Sequence, residues 1–110
     1  MITWQDFENV EIRVGTIVEV RDFLQAKKPA YQLIIDFGEA LGLKRSSAQI
    51  TKLYTHDELL GRQVVCVTNF PPRQIANFFS EVLVTGFERN DGEIVLTSVE
   101  RPVPNGSRLC

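Results

Sequence analysis

The sequence has very few of the residues that build metal sites and disulfide frameworks. It contains one histidine and only two cysteines, Cys66 and Cys110, whereas a metal cage or a disulfide-stapled fold needs more of these side chains. We therefore predict no metal site, no cofactor and two free thiols. Cys66 lies in a run of valines, a position typical of a small buried hydrophobic residue rather than a nucleophile.

Catalytic motifs are also missing. The chain has no phosphate-binding glycine loop, no dinucleotide fingerprint and no nucleophile elbow. The single histidine, His56, falls in the first turn of a predicted helix beside two acidic residues, which favours a solvated side chain over a general base. The sequence therefore predicts a binding protein that is not an enzyme and has no catalytic residues.

Long apolar runs and an excess of positive charge are absent too. No apolar stretch approaches the roughly 18 residues that cross a bilayer, and the first residues lack the pattern of a secretory signal, so we expect a cytoplasmic protein with no membrane partner. The net charge is −2, which argues against phosphate attraction over the whole surface. Any affinity for nucleic acid must therefore be local.

The residues that are present alternate between apolar and polar, as in β-strands. This pattern and the turns between its segments predict five strands, at 12–20, 31–37, 43–50, 63–68 and 81–87, and a hairpin turn at 89–93 that leads into 94–96. Gly15, inside the first strand, indicates a bend or a close backbone approach. The prolines after Phe70 end the fourth strand. Capping boxes at Thr3 and Thr55 predict a short N-terminal helix and a helix over 55–61.

This order of elements is that of the OB-fold. We predict one all-β domain over residues 1–110: a five-stranded Greek-key barrel with a short helix between strands three and four, a short N-terminal helix and an extended C-terminal arm. Ligands of this fold lie across strands two and three, between two flanking loops. That scheme places basic and aromatic residues that are distant in sequence on one face of the barrel. Such a face suits single-stranded nucleic acid and extended peptides equally. We expect Phe37 and Phe87 in the core, together with one or two of the three phenylalanines around the prolines.

The chain contains the segments EIRVGTIV at 11–18, IDFG at 35–38, SSAQITK at 46–52, NFPPRQIA at 69–76, SEVLV at 80–84 and PVPNG at 102–106. With these segments it resembles the tRNA-binding domain family, OB-fold modules appended to some aminoacyl-tRNA synthetases, and above all its stand-alone bacterial members. The resemblance implies a homodimeric protein-secretion chaperone that holds unfolded or precursor polypeptides without ATP. The alternative is a tRNA- or RNA-binding protein that uses the same barrel face, and a dimerising module without a ligand is a third interpretation.

The chain departs from the wider family at two places. Many relatives have Ser-Gly where this chain has Ala48-Gln49, and Ser-x-Gly-Met where it has residues 80–83. Transfer of tRNA binding from the family therefore does not follow from the resemblance.

Two sets of residues are candidates for function. The candidate RNA- or peptide-binding residues are Lys27, Lys28, Lys44, Arg45, Ser47, Gln49, Lys52, Asn69, Phe70, Arg73, Phe78 and Ser80. The resemblance implies that the segments flanking the barrel pair two subunits, and the candidate dimer-interface residues are Ile2, Trp4, Phe7, Pro104 and Asn105.

Overall fold

The long first strand lies at the centre of the main sheet. A computed structural model describes residues 1–110. In chain order the elements are α1 (Trp4–Glu8), β1 (Ile12–Asp22), β2 (Tyr31–Asp36), β3 (Leu43–Ala48), α2 (His56–Leu59), β4 (Gln63–Val67), β5 (Arg73–Ile75), β6 (Phe78–Ser80), β7 (Leu83–Val84), β8 (Gly86–Glu88) and β9 (Ile94–Leu96). The main sheet runs β3-β2-β1-β4-β7 and is antiparallel throughout. Neither helix is long and apolar enough to span a membrane.

The main sheet curls until its two edge strands almost meet. Glu81, just before β7, donates its backbone N–H to the carbonyl oxygen of Arg45 at 2.7 Å, and its carboxylate accepts the backbone N–H of Arg45 at 3.0 Å. The backbone N–H of Ser47 donates to Ser80 Oγ at 3.1 Å. The seam of the barrel is thus closed partly by side chains. The result is a nearly closed five-stranded all-β barrel of the OB type, which confirms the predicted fold class.

One core fills the barrel. Phe37, Ile17, Leu33, Ile35, Leu59 and Val64 are its largest fully buried side chains. Cys66 belongs to the same core, and burial raises the pKa of its thiol to about 12. The thiol is therefore protonated at neutral pH, in agreement with the predicted buried hydrophobic role.

Gly15 is required by a close approach rather than by a bend. A Cβ atom at this position would come within 2.5 Å of Ile35 Cγ2 and 2.9 Å of the Phe37 ring. β1 bends further along, where its register with β2 shifts between Ile17 and Glu19 and forms a bulge. Of the two roles predicted for Gly15, the structure supports the close approach.

Local capping signals predict both helices correctly. Thr3 and Thr55 each form the expected capping box, with Asp6 and Glu58 respectively, and Gly61 has φ +83° just after α2. The predicted fifth strand is wrong as a continuous element. It divides into β7 and β8, and β8 leaves the main sheet to form a hairpin with β9 across the predicted turn. Phe87 consequently lies on the surface rather than in the core, with 73% of its area exposed.

A second hairpin lies where the sequence predicts only a loop. β5 and β6 pair antiparallel, with Arg73 opposite Ser80 and Ile75 opposite Phe78. The turn passes through Ala76, which has φ +54°. Two-residue hairpin turns are recognised from sequence mainly by Asn-Gly or Asp-Gly, and Ala76-Asn77 lacks that signal.

The C-terminal arm lies along β1 of its own chain. The backbone N–H of Gly106 donates to Val14 O at 2.7 Å, and Asn105 Oδ1 accepts hydrogen bonds from Thr16 Oγ1 at 2.7 Å and Gln63 Nε2 at 3.1 Å. The side chain of Asn105 thus fixes the arm within the subunit, and its predicted place in a dimer contact stays a prediction. Pro104 remains exposed.

Candidate ligand-binding groove

A pair of buried rings joins two segments that are distant in sequence. Phe23, just after β1, and Phe78, on β6, have ring centroids 5.3 Å apart and form a small separate core with Ala30. Because this core fastens the β1–β2 loop to the β5–β6 hairpin, the lysines of the loop lie beside Arg73. Phe78 is only 8% exposed and packs against Phe23, so the structure gives it a supporting position, and its predicted ligand contact stays a prediction.

A cleft of about 710 Å³ opens between these two segments. Its cationic lining residues are Lys27, Lys28 and Arg73, and no aspartate or glutamate lines it. Ser47 and Gln49 contribute polar groups from β3 and the residues that follow it. We call this space the basic cleft.

A second cleft of about 380 Å³ adjoins the first. Its apolar lining consists of Phe70, Pro71, Ile75, Val82 and Leu83, and its polar lining includes Ser80 and Glu81. We call this space the apolar cleft, and the two together the groove. Both clefts are lined by Ser47, Arg73 and Ile75, which we call the shared wall.

The three cations of the basic cleft have no partner within the chain. Six other basic residues lie within 3.5 Å of a carboxylate, and Arg62 and Arg108 donate to backbone carbonyl oxygens. Lys27, Lys28 and Arg73 make no ion pair and no side-chain hydrogen bond; among the remaining cations, Lys44 alone shares this property. Since no carboxylate of the chain neutralises these three side chains, their charge remains available to attract an anion.

Seven of the twelve predicted binding residues line the groove: Lys27, Lys28, Ser47, Gln49, Phe70, Arg73 and Ser80. Whether they bind a ligand remains a prediction. The pairing of β2 with β3 explains why Lys44 is not among them. Side chains alternate along a strand, so Lys44 shares the face of the buried Ser46, whereas Ser47 points to the groove.

Three more predicted residues are engaged elsewhere. Arg45 lies beside Glu81 and Phe78, with its guanidinium 3.5 Å from the Glu81 carboxylate and 5.5 Å from the centre of the Phe78 ring. Lys52 pairs with Glu93 at 3.5 Å. Asn69 accepts the N–H of Glu11 at 3.0 Å and donates to Asn9 O at 2.8 Å, so it ties the end of α1 to the end of β4. These contacts hold the three side chains outside the groove lining, and their predicted ligand contacts stay predictions.

Apart from Phe70, the sequence did not predict the apolar side chains that line the groove. Ile75, Val82 and Leu83 line it, yet none was a candidate. Residues 73–75 and 78–80 show no alternation of apolar and polar residues that would predict a hairpin, and only the pairing of β5 with β6 shows that Arg73 and Ile75 share a face.

His56 has a structural contact rather than a freely solvated position. Its Nε2 lies 2.9 Å from Asp22 Oδ1, and its ring meets the Tyr31 ring edge-on at 5.0 Å. The pair links α2 to the end of β1. No group of three or more His, Cys, Asp or Glu side chains is placed to hold a metal ion.

The barrel is a domain of the OB type that carries a groove. The family described as "Putative tRNA binding domain" matches residues 12–108. The chain therefore belongs to the tRNA-binding domain family.

Two solved structures share the fold over the whole chain. The CsaA chaperone protein from Picrophilus torridus is 51% identical, with a TM-score of 0.92 and 100% of both chains covered. The chaperone CsaA from Bacillus anthracis is 44% identical, with a TM-score of 0.93 and coverage of 100% of this chain and 99% of the other. These matches confirm the resemblance to the CsaA type within the family.

A methionine–tRNA ligase from Phocaeicola vulgatus is also similar, with 34% identity over 112 residues. The alignment covers 99% of this chain but only 16% of the ligase. The chain therefore matches one part of a much longer enzyme.

Proposed function

We propose that the chain holds extended segments of unfolded or precursor polypeptide in the groove, without ATP and without catalysis. The observation that carries this proposal is the apolar cleft, where Phe70 and Leu83 are 55% and 50% exposed beside a polar rim. Exposed rings and aliphatic groups in a concave site gain contact with many apolar side chains regardless of sequence. The proposed place of action is the cytoplasm, and the CsaA proteins described above are named chaperones.

The barrel seam places a strand edge beside the apolar cleft. The N–H groups of Arg45 and Ser47 on the outer edge of β3 are bonded by the side chains of Glu81 and Ser80, not by the backbone of a neighbouring strand. An extended segment can pair with this edge only by replacing these two side-chain acceptors. Ser47, Ser80 and Glu81 also line the apolar cleft, so an extended segment in the cleft lies beside this edge.

Replacing Phe70 by serine is expected to weaken client binding about tenfold, because burial of a phenylalanine side chain contributes roughly 1.5–3 kcal/mol. The measurement is anisotropy of a labelled apolar peptide, with light scattering of an aggregating unfolded client as the activity assay. Phe87→Ser is the matched control, since this exposed ring lines neither cleft. The proposal fails if wild-type protein does not slow aggregation, or if Phe70→Ser is as active as wild type.

Single-stranded RNA or tRNA is the second candidate ligand. The three unpaired cations of the basic cleft favour it, because no carboxylate of the chain competes with phosphate there. Phe70 at the edge of the groove offers a ring on which a base can stack.

Arg73→Glu is expected to reduce the salt dependence of tRNA binding. A plot of log affinity against log salt should be steep for wild type and shallower by about one unit or more in the variant, since a lost phosphate contact releases fewer counterions. Lys44→Glu changes the net charge equally but alters the opposite face of β3, so it should keep the wild-type slope. A flat wild-type response, or equal effects of the two substitutions, would eliminate RNA as a ligand of the groove.

We also propose that two copies of the chain pair through a terminal patch of Ile2, Trp4, Phe7, Leu109 and Cys110. No residue of α1 is buried, and Ile2 and Trp4 are 75% and 78% exposed. The patch surrounds two shallow cavities between α1 and the C-terminus. An isolated five-residue helix is unstable in water, and a self-complementary apolar surface is the usual basis of a two-fold dimer.

A further inference from the structure

We propose that RNA and client polypeptide exclude one another from the groove, so that a bound single-stranded polyanion switches the holding activity off. This inference rests on the proposed polypeptide-holding function and adds a mode of regulation at the same site. It requires that the two clefts cannot be filled independently, and the geometry of the shared wall supports that requirement.

The shared wall belongs to both clefts at once. Ser47, Arg73 and Ile75 line each of them. A phosphate that binds Arg73 therefore uses a side chain that also lines the site of a polypeptide in the apolar cleft. Occupation of the basic cleft up to its edge removes part of the surface available to a client.

Hydrogen bonds and packing hold the backbone of the shared wall in place. The N–H of Ser47 is bonded to Ser80 Oγ at 3.1 Å, and Ser80 is the β-sheet partner of Arg73. Ile75 packs against the core formed by Phe23 and Phe78. The backbone of the shared wall therefore stays in one position, and two ligands that both contact Arg73 compete for the same side chain.

Phe70 extends the overlap to the whole groove. Only Pro71 and Pro72 separate it from Arg73, and proline restricts the backbone between them. RNA whose phosphate lies at Arg73 has a stacking surface within two residues, and that surface lines the apolar cleft. A nucleotide that uses both groups occupies the site that the client needs.

Two ligands that exclude one another obey a simple relation. When tRNA is present at about ten times its own dissociation constant, the apparent dissociation constant of the client rises about tenfold, and client at about ten times its own dissociation constant weakens tRNA binding by the same factor. The expected reciprocity distinguishes competition from a general loss of active protein.

The experiment uses a fluorescein-labelled peptide with apolar and uncharged polar residues, so that tRNA cannot remove it by binding the peptide itself. Peptide anisotropy is followed while unfractionated tRNA is added, and tRNA binding to unlabelled protein is measured separately by filter retention. We expect full displacement, with a midpoint set by the directly measured affinity of tRNA. Lys28→Glu should shift that midpoint to higher tRNA concentration, whereas Lys44→Glu should leave it in place.

The outcomes separate this inference from the proposed function. If both ligands bind and the anisotropy stays high at saturating tRNA, a ternary complex forms and mutual exclusion is wrong while polypeptide holding stands. If tRNA does not bind at all, the inference is wrong and the client site is unaffected. If the peptide does not bind, polypeptide holding itself is wrong and the inference is lost with it.

Discussion

Phe78→Ala is expected to lower the free energy of unfolding by about 3 kcal/mol, whereas Phe79→Ala should cost less than about 1 kcal/mol. The two rings are adjacent on β6 but differ in burial, at 8% and 44% exposed. Removal of the Phe78 ring leaves a cavity beside Phe23 and Ala30 and also removes the contact with the Arg45 guanidinium. Phe79 loses only partial contact, because it lies on the outer face of the hairpin opposite Gln74.

The same substitution should also disturb the groove. Phe78 helps to hold the β1–β2 loop against the hairpin, so its loss releases Lys27 and Lys28 from the neighbourhood of Arg73. We expect the Phe78→Ala variant to bind both peptide and tRNA more weakly than wild type. The comparison is made at a urea concentration well below the unfolding midpoint of the variant, where the variant is folded. Urea titrations of both variants check the stability difference, and binding to folded protein checks the second effect. Equal losses of unfolding free energy in the two alanine variants would contradict the assignment of Phe78 to the small core with Phe23 and Ala30.

Trp4→Glu is expected to convert the proposed dimer to monomers. A carboxylate at the centre of an apolar contact loses hydration without gaining a partner, and loss of a central tryptophan removes a large apolar contact. Together these effects should raise the dissociation constant of the dimer at least about a hundredfold, equivalent to about 3 kcal/mol. Sedimentation velocity over a range of protein concentrations measures the change.

Phe87→Glu is the matched control for this experiment. Phe87 is an aromatic side chain of similar exposure, 73% against 78% for Trp4, and it lies outside the terminal patch. The control should keep the wild-type sedimentation behaviour, and urea unfolding should show that both variants fold. A wild-type protein that stays monomeric at high concentration, or a Trp4→Glu protein that still pairs, would refute the terminal patch as the interface.

The helices and the first four strands follow from signals that lie close together in the sequence. A capping box needs residues three positions apart, as Thr3 and Asp6 show, and a strand needs alternation over a few positions. These elements form close to their predicted bounds. The β5–β6 hairpin was missed because Ala76 adopts positive φ without the glycine or asparagine that usually announces it.

Which residues line the groove depends on contacts between residues that are distant in the sequence. Phe78 and Phe87 look alike in sequence, yet one is buried against Phe23 and the other is exposed after β8 leaves the main sheet. The sequence likewise does not show whether the Asn69 amide binds a ligand or, as in the structure, accepts the backbone N–H of Glu11. For Lys44 and Arg45, strand alternation alone excludes a common face, and the pairing with β2 decides which of them faces inward.

The sequence by itself determined that this is a small β barrel of the tRNA-binding domain family, because periodic patterns, caps and family motifs are local properties of the chain. Only the tertiary structure decided which cations and rings share a surface. Lys27, Lys28 and Arg73 meet because two buried phenylalanines fasten their segments together, and Lys52 does not join them because it pairs with Glu93 instead. The physical reason is that packing selects partners by position in space, whereas the patterns visible in a sequence extend over only a few residues.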